Sequence, residues 1–146
     1  MSRYDFALAV ALLAATQIGA TAETPTPVGV WLHPDGRIKM EIAPCGDALC
    51  AKLIWFKSPN DDQGLPRVDL KNPDPALRAR PLLGLKVLEG LRPNADGAWD
   101  GGEVYNPDDG ENYKARMSIQ DDGTLRVRGY ILIPLLGKTL VWTRVR

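Results

Sequence analysis

The chain has 146 residues, and its 18 lysines and arginines balance 18 aspartates and glutamates for a formal net charge of zero. A neutral chain of mixed charge has no electrostatic reason to seek nucleic acid. The length suits one domain with one core, and one histidine with two cysteines leaves little to build a metal site from.

The first element is a targeting segment. Phe6 to Ala15 is an almost unbroken apolar run behind Arg3, and Ala20-Thr21-Ala22 has the small-x-small pattern of a signal-peptidase site. A bilayer span needs about 20 apolar residues, so the run is too short to cross one. Residues 1–22 therefore read as a cleaved secretory signal, with an uncleaved anchor as the alternative because Asp5 is an unhelpful charge there. The exported protein is expected in the periplasm or the medium. Residues 23–28, with TPTPV, read as an extended leader. Residues 29–146 read as a single domain without a transmembrane segment.

Gly29-Val30-Trp31 opens the first strand, and His33-Pro34-Asp35-Gly36 is a turn by composition. His33 there reads as a solvated turn residue. Arg37 to Ile42 alternates polar and apolar, as a half-buried strand does, and Ala51 to Phe56 is a second strand-like run. Between them CGDALC holds both cysteines, Cys45 and Cys50. Exported chains meet oxidising conditions, so the pair reads as a disulfide, two cysteines facing each other near the end of a hairpin. A redox pair usually has C-x-x-C, and a metal clamp needs two more ligands; both stay as weaker alternatives.

The segment 57–84 is different. It carries five prolines, mixes both charges and shows no sustained period. Irregular loops of that length are usually functional or disordered. Asp74 as cap and Pro75 at the first position give it one helical turn. It reads as a lid over one barrel end, fixed by its own Asp–Arg pairs, or else as a lid closing over a pocket or a partner-docking surface. Asp69, Asn72, Arg78 and Arg80 are its candidate binding residues. Asn60-Asp61-Asp62-Gln63-Gly64 lacks the alternating oxygens and terminal glutamate of a calcium loop.

From Leu85 onward the chain is rich in strands. Leu85–Leu91, Ala98–Tyr105, Tyr113–Gln120, Leu125–Leu132 and Lys138–Val145 are separated by turns at Asn94–Gly97, Asn106–Gly110, Asp121–Gly123 and Gly137. Ile131 to Leu136 is apolar on both faces and reads as core at a strand end, with an exposed lip as the alternative. Trp55, Trp99, Tyr105, Tyr113 and Tyr130 are core or rim residues, and they would line a pocket if one exists. The sum is an all-β fold, a small antiparallel eight-stranded barrel with one long irregular lid. Eight strands closing on themselves leave room for side chains or one small ligand.

Gly29-x-Trp31 on the first strand and Arg144 on the last resemble the signature of lipocalin- and streptavidin-like barrels, in which the arginine packs over the tryptophan and seals the closed end. Further motifs run in order along the chain: Cys45-Gly46-Asp47-Ala48-Leu49-Cys50, Asp69-Leu70-Lys71-Asn72-Pro73-Asp74-Pro75, Arg80-Pro81-Leu82-Leu83-Gly84, Trp99-Asp100-Gly101-Gly102, Tyr105-Asn106-Pro107, Gly110-Glu111-Asn112-Tyr113, Arg128-Gly129-Tyr130 and Trp142-Thr143-Arg144. With them the chain resembles DUF2147, a family of small exported bacterial proteins. Ala51 departs from that pattern, which commonly has glycine after the second cysteine. The resemblance implies export and a small barrel and brings no catalytic residue.

The residues do not suggest an enzyme. A Ser-His-Asp triad would have to use His33 with Ser58 or Ser118, and neither serine has a nucleophile-elbow context. No cofactor or metal is expected. The leading expectation is a monomeric, non-catalytic binding module for a small, mostly apolar ligand. The first alternative is a cell-envelope structural or interaction protein whose barrel is filled, and the second an enzyme of unrecognised type using the lid's Asp69, Asp74, Arg78 and Arg80.

Overall fold

The computed structural model describes Gly19 and residues 24–145; the expected signal sequence, 1–22, lies almost wholly outside them. Eight strands form a closed barrel in simple chain order: β1 (Gly29–Leu32), β2 (Ile38–Cys45), β3 (Ala48–Phe56), β4 (Lys86–Pro93), β5 (Trp99–Asn106), β6 (Glu111–Ile119), β7 (Leu125–Tyr130) and β8 (Gly137–Arg144). Every neighbouring pair is antiparallel, and the seam pairs Trp31 with Arg144 and Leu32 with Thr143. Closure removes the free sheet edges that an open meander would expose. No described helix is long and apolar enough to cross a membrane.

The alternation read from the sequence becomes inside and outside. Ala115 and Met117 on β6, and Leu125 and Val127 on β7, are buried. Their neighbours Lys114, Arg116, Ser118, Arg126 and Arg128 therefore face outward. The interior is one contiguous cluster built on Trp31, Met40, Ile42, Leu53, Leu88, Leu91, Met117, Leu125 and Trp142. Gly102, Ala115 and Gly129 make a row of small residues across β5, β6 and β7. That row does not leave a hollow. A methyl at Gly102 would collide with the Leu91 side chain, and one at Gly129 would press on Val104 and Tyr113.

Strand direction sorts the connections by end. The lower end collects the β2–β3 turn, the 94–98 and 120–124 turns, and residues 26–28 beneath Trp31. Arg144 lies 4.2 Å from the Trp31 ring centroid. Its guanidinium donates to the carbonyls of Val28 (3.0 Å) and Thr26 (2.6 Å). Trp31 Nε1 donates to the Pro27 carbonyl at 2.8 Å. One end is thus plugged as the sequence suggests. Cys45 and Cys50 are joined as a disulfide, with Cα atoms 5.6 Å apart. They do not face each other directly: Cys45 is opposite Ala48 and Cys50 opposite Ala43, so the bridge runs diagonally across the hairpin end.

The upper end collects the 33–37 turn, segment 57–85, the 107–110 turn and residues 131–136. Two expectations change here. Residues 131–136 are not core. β7 ends at Tyr130, and Ile131, Leu132, Ile133, Leu135 and Leu136 are 50–81% exposed. The strand cannot continue because Leu132 takes a left-handed φ of 64°. His33 is half-buried rather than freely solvated, with its ring edge-on to Trp142 at 4.9 Å.

Candidate functional site

Segment 57–85 is a strap with its own internal structure. Isolated bridges pair Asn60 with Pro66 and Val68 with Pro81. Asp61 accepts from the backbone N–H groups of Gln63 and Leu65, both at 2.9 Å, so its carboxylate closes a turn. The expected helical turn forms as a 3₁₀ turn, Pro75–Leu77, with the Asp74 side chain capping the Ala76 N–H at 2.9 Å.

The strap is fastened by Asp69, which is wholly buried. An ionised carboxylate is buried only where it is paired and hydrogen-bonded. Asp69 meets both conditions. Arg80 Nε and Nη2 each lie 2.8 Å from Oδ2. Asn72 Nδ2 donates to Oδ2 at 2.8 Å, and the Tyr105 hydroxyl donates to Oδ1 at 2.6 Å. The Arg80 guanidinium also lies 5.3 Å from the Tyr105 ring centroid. Asn72 Oδ1 accepts from the Asp74 N–H at 2.9 Å, and Arg78 Nε donates to the Asn72 carbonyl at 2.8 Å. Burial alone would raise the Asp69 carboxyl, but hydrogen bonds from Tyr105, Asn72 and Arg80 outweigh it and hold it below the usual carboxylate range. Burial and the bond to Asp69 push the Tyr105 phenol up. Asp69 is therefore ionised with its oxygens occupied, and Tyr105 keeps its proton. Such a network clamps; it has no free base or nucleophile.

The Asp69–Arg80 pair fixes the strap's own shape as expected, and the clamp also sets where the strap is anchored. Val104 packs on the core, so Tyr105, the next residue on β5, faces outward. The buried anchors of the strap thus lie on the outer wall, not inside the mouth. The strap also lies tight on the 107–110 turn. Gly110 has φ of 78°, and a methyl there would collide with the Lys71 carbonyl.

Of the candidate binding residues, Asp69, Asn72, Arg78, Arg80 and Tyr105 come together in this clamp. The other aromatics are scattered. Trp55 is half-exposed outside, with Lys39 Nζ 4.6 Å from its ring centroid. Trp99 packs against the core. Tyr113 donates its hydroxyl to Asp109 at 2.8 Å. Tyr130 lies opposite Lys114 and Gly137. Sequence reasoning missed the three outward arginines Arg116, Arg126 and Arg128. The Asp121–Gly123 hairpin was the available signal, because pairing outward from it sets Arg116 opposite Arg128.

A closed eight-stranded antiparallel barrel, sealed by arginine on tryptophan at one end and strapped at the other, is a lipocalin-like fold. A solved structure, described as "Protein HP1028 from the human pathogen Helicobacter pylori belongs to the lipocalin family", is similar to it with TM-score 0.71 and 24% identity, over 86% of this chain and 85% of that one. At that identity the likeness concerns the fold. Residues 29–144 match the family model described as "Uncharacterized protein conserved in bacteria (DUF2147)", and the chain belongs to that family. No curated protein matches it.

Proposed function

We propose that this chain is an exported, non-catalytic binding protein of the cell envelope that engages its partner with its outer surface, the barrel serving as a rigid scaffold. One contrast carries the reading. Trp31, Met40, Ile42, Leu91, Met117 and Leu125 are packed inside the barrel at under 2% exposure, while among the described residues five exposed aliphatic side chains stand together on the 131–136 lip. A drug-sized ligand needs a cavity of about 300–1,000 Å³, and the buried cluster of Trp31, Met40, Leu91 and Met117 takes up much of the space where it would lie. The filled-barrel expectation therefore fits the packing better than the interior-ligand one. A lipocalin-like fold remains compatible with small-ligand binding in general, and an outer ligand site is included in this reading.

The test is cross-linking in the producing cell. A photo-reactive residue replaces Leu135 on the lip and, separately, Trp55 on the distant β3 wall. Adducts from position 135 and few from position 55 are expected. Native mass spectrometry of the exported protein complements this. A bound small molecule that survives Leu135→Asp and cross-links to inward-facing positions such as Met117 or Val127 would place the site in the barrel and sink the outer-surface reading.

A further inference from the structure

The lip is joined to a basic wall. Alternation puts Arg116, Arg126 and Arg128 on the outer face of β6 and β7. They line a groove of about 460 Å³ with Ser118, Thr139 and Pro134. The groove gathers three cations on one outer wall. Arg116 and Arg128 are opposite each other in register, the Arg116 guanidinium turned toward Asp96 and the Arg128 guanidinium toward the lip and Thr139. Among the described residues lining the groove one acid answers them: Asp96 lies 3.6 Å from Arg116 in a pair that is largely exposed.

Arg128 ties the two surfaces together. Its guanidinium donates to the carbonyls of Pro134 and Leu135 and, at 2.6 Å, to the Thr139 hydroxyl. The lip is therefore held at the top of the arginine wall, with Leu132 kept outward in a left-handed conformation at 74% exposure. Five aliphatic side chains project beyond the strand ends, and the arginines begin just below them. Arg126 is two residues from Arg128 on β7, a rise of about 7 Å.

We propose that the 131–136 lip and the Arg116–Arg126–Arg128 wall together form a docking surface for an anionic phospholipid membrane. This rests on the outer-surface reading of the previous section. A protruding apolar tip has no shape to match in a fluid hydrocarbon layer, and arginines behind it meet headgroup phosphates, the arrangement of interfacial membrane binders. A second copy is a poorer occupant, because a symmetric pair would set one arginine wall against another. The formal charge of the whole chain is zero, so the attraction comes from this wall and not from the net charge.

Vesicle flotation tests the proposal. The exported protein is mixed with phosphatidylglycerol–phosphatidylcholine vesicles and, separately, with pure phosphatidylcholine vesicles. Partition into the anionic vesicles only, weakened by salt, is expected. Arg116→Gln and Arg126→Gln should each lower it about fivefold. Leu132→Gly relieves the backbone and removes an inserted side chain; with Leu135→Ser it should lower partition at least about tenfold. All four positions are outside the core, so thermal unfolding should stay near that of the parent and serves as the folding control. Equal partition into neutral vesicles, no partition at all, or full partition by the arginine variants would overturn the proposal. So would binding that survives every substitution, which would belong to another part of the chain. Lip cross-links to a protein without vesicle binding would sink the membrane docking and leave the outer-surface reading standing.

Discussion

Two tryptophans differ in one hydrogen bond, and that difference should be measurable. Trp31 Nε1 has the Pro27 carbonyl; Trp142 Nε1 is buried without a partner among the described residues. A buried unpaired donor costs about 1–3 kcal/mol. Trp31→Phe should therefore destabilise the protein by at least about 1 kcal/mol more than Trp142→Phe, read from denaturant midpoints. Asp69 supplies a second residue-scale prediction. Its folded pKa lies below the unfolded value of about 3.9. Its contribution to stability is thus present above that pH and is lost as pH falls through the folded value. Unfolding midpoints of the parent should drop on acidification below about pH 4, and Asp69→Asn should flatten that drop. At neutral pH Asp69→Asn leaves Arg80 without its anion and should cost about 3 kcal/mol. An unchanged acid limb in the variant would show that other carboxylates carry it.

At the scale of elements, the strap is a separable layer held by a few contacts. Gly110→Ala forces a methyl against the Lys71 carbonyl at a left-handed backbone position. The expected cost is about 1–3 kcal/mol. Amide exchange should quicken at Asp69 and Asn72 while Met117 and Leu125 stay protected. Uniform quickening would mean that strap and barrel open together. The strap was only half legible. Its length, prolines and capped turn stand in the sequence. Its place on the outer wall does not, because that depends on Tyr105, 36 residues from Asp69. The lip takes the alternative of its two readings for a related reason. Ile131 to Leu136 has core composition, and only the left-handed Leu132 and the end of β7 turn those side chains outward.

For the whole molecule, closure hangs on a narrow seam of two register pairs between β1 and β8. Arg144 reinforces it by stacking on Trp31 and bonding two carbonyls of the preceding segment. Lysine keeps the charge but has no planar fork to serve both carbonyls and the ring face. Arg144→Lys should cost about 1–2 kcal/mol, with faster exchange concentrated in β1 and β8. A loss spread evenly over all strands would mean that the seam has no weakness of its own.

The sequence by itself determined the strand count, the turns other than that before β8, the cysteine pair, the Trp31–Arg144 seal and the family. These follow from local alternation, turn chemistry and motifs that each occupy a few neighbouring residues. Only the tertiary structure decided that Trp31, Met40, Leu91, Met117 and Leu125 pack into one buried cluster, that Asp69, Arg80 and Tyr105 close one clamp, and that the apolar lip stands above three arginines. Each of these depends on which side chains meet across the barrel wall, and that is set by register and closure rather than by any single stretch of chain.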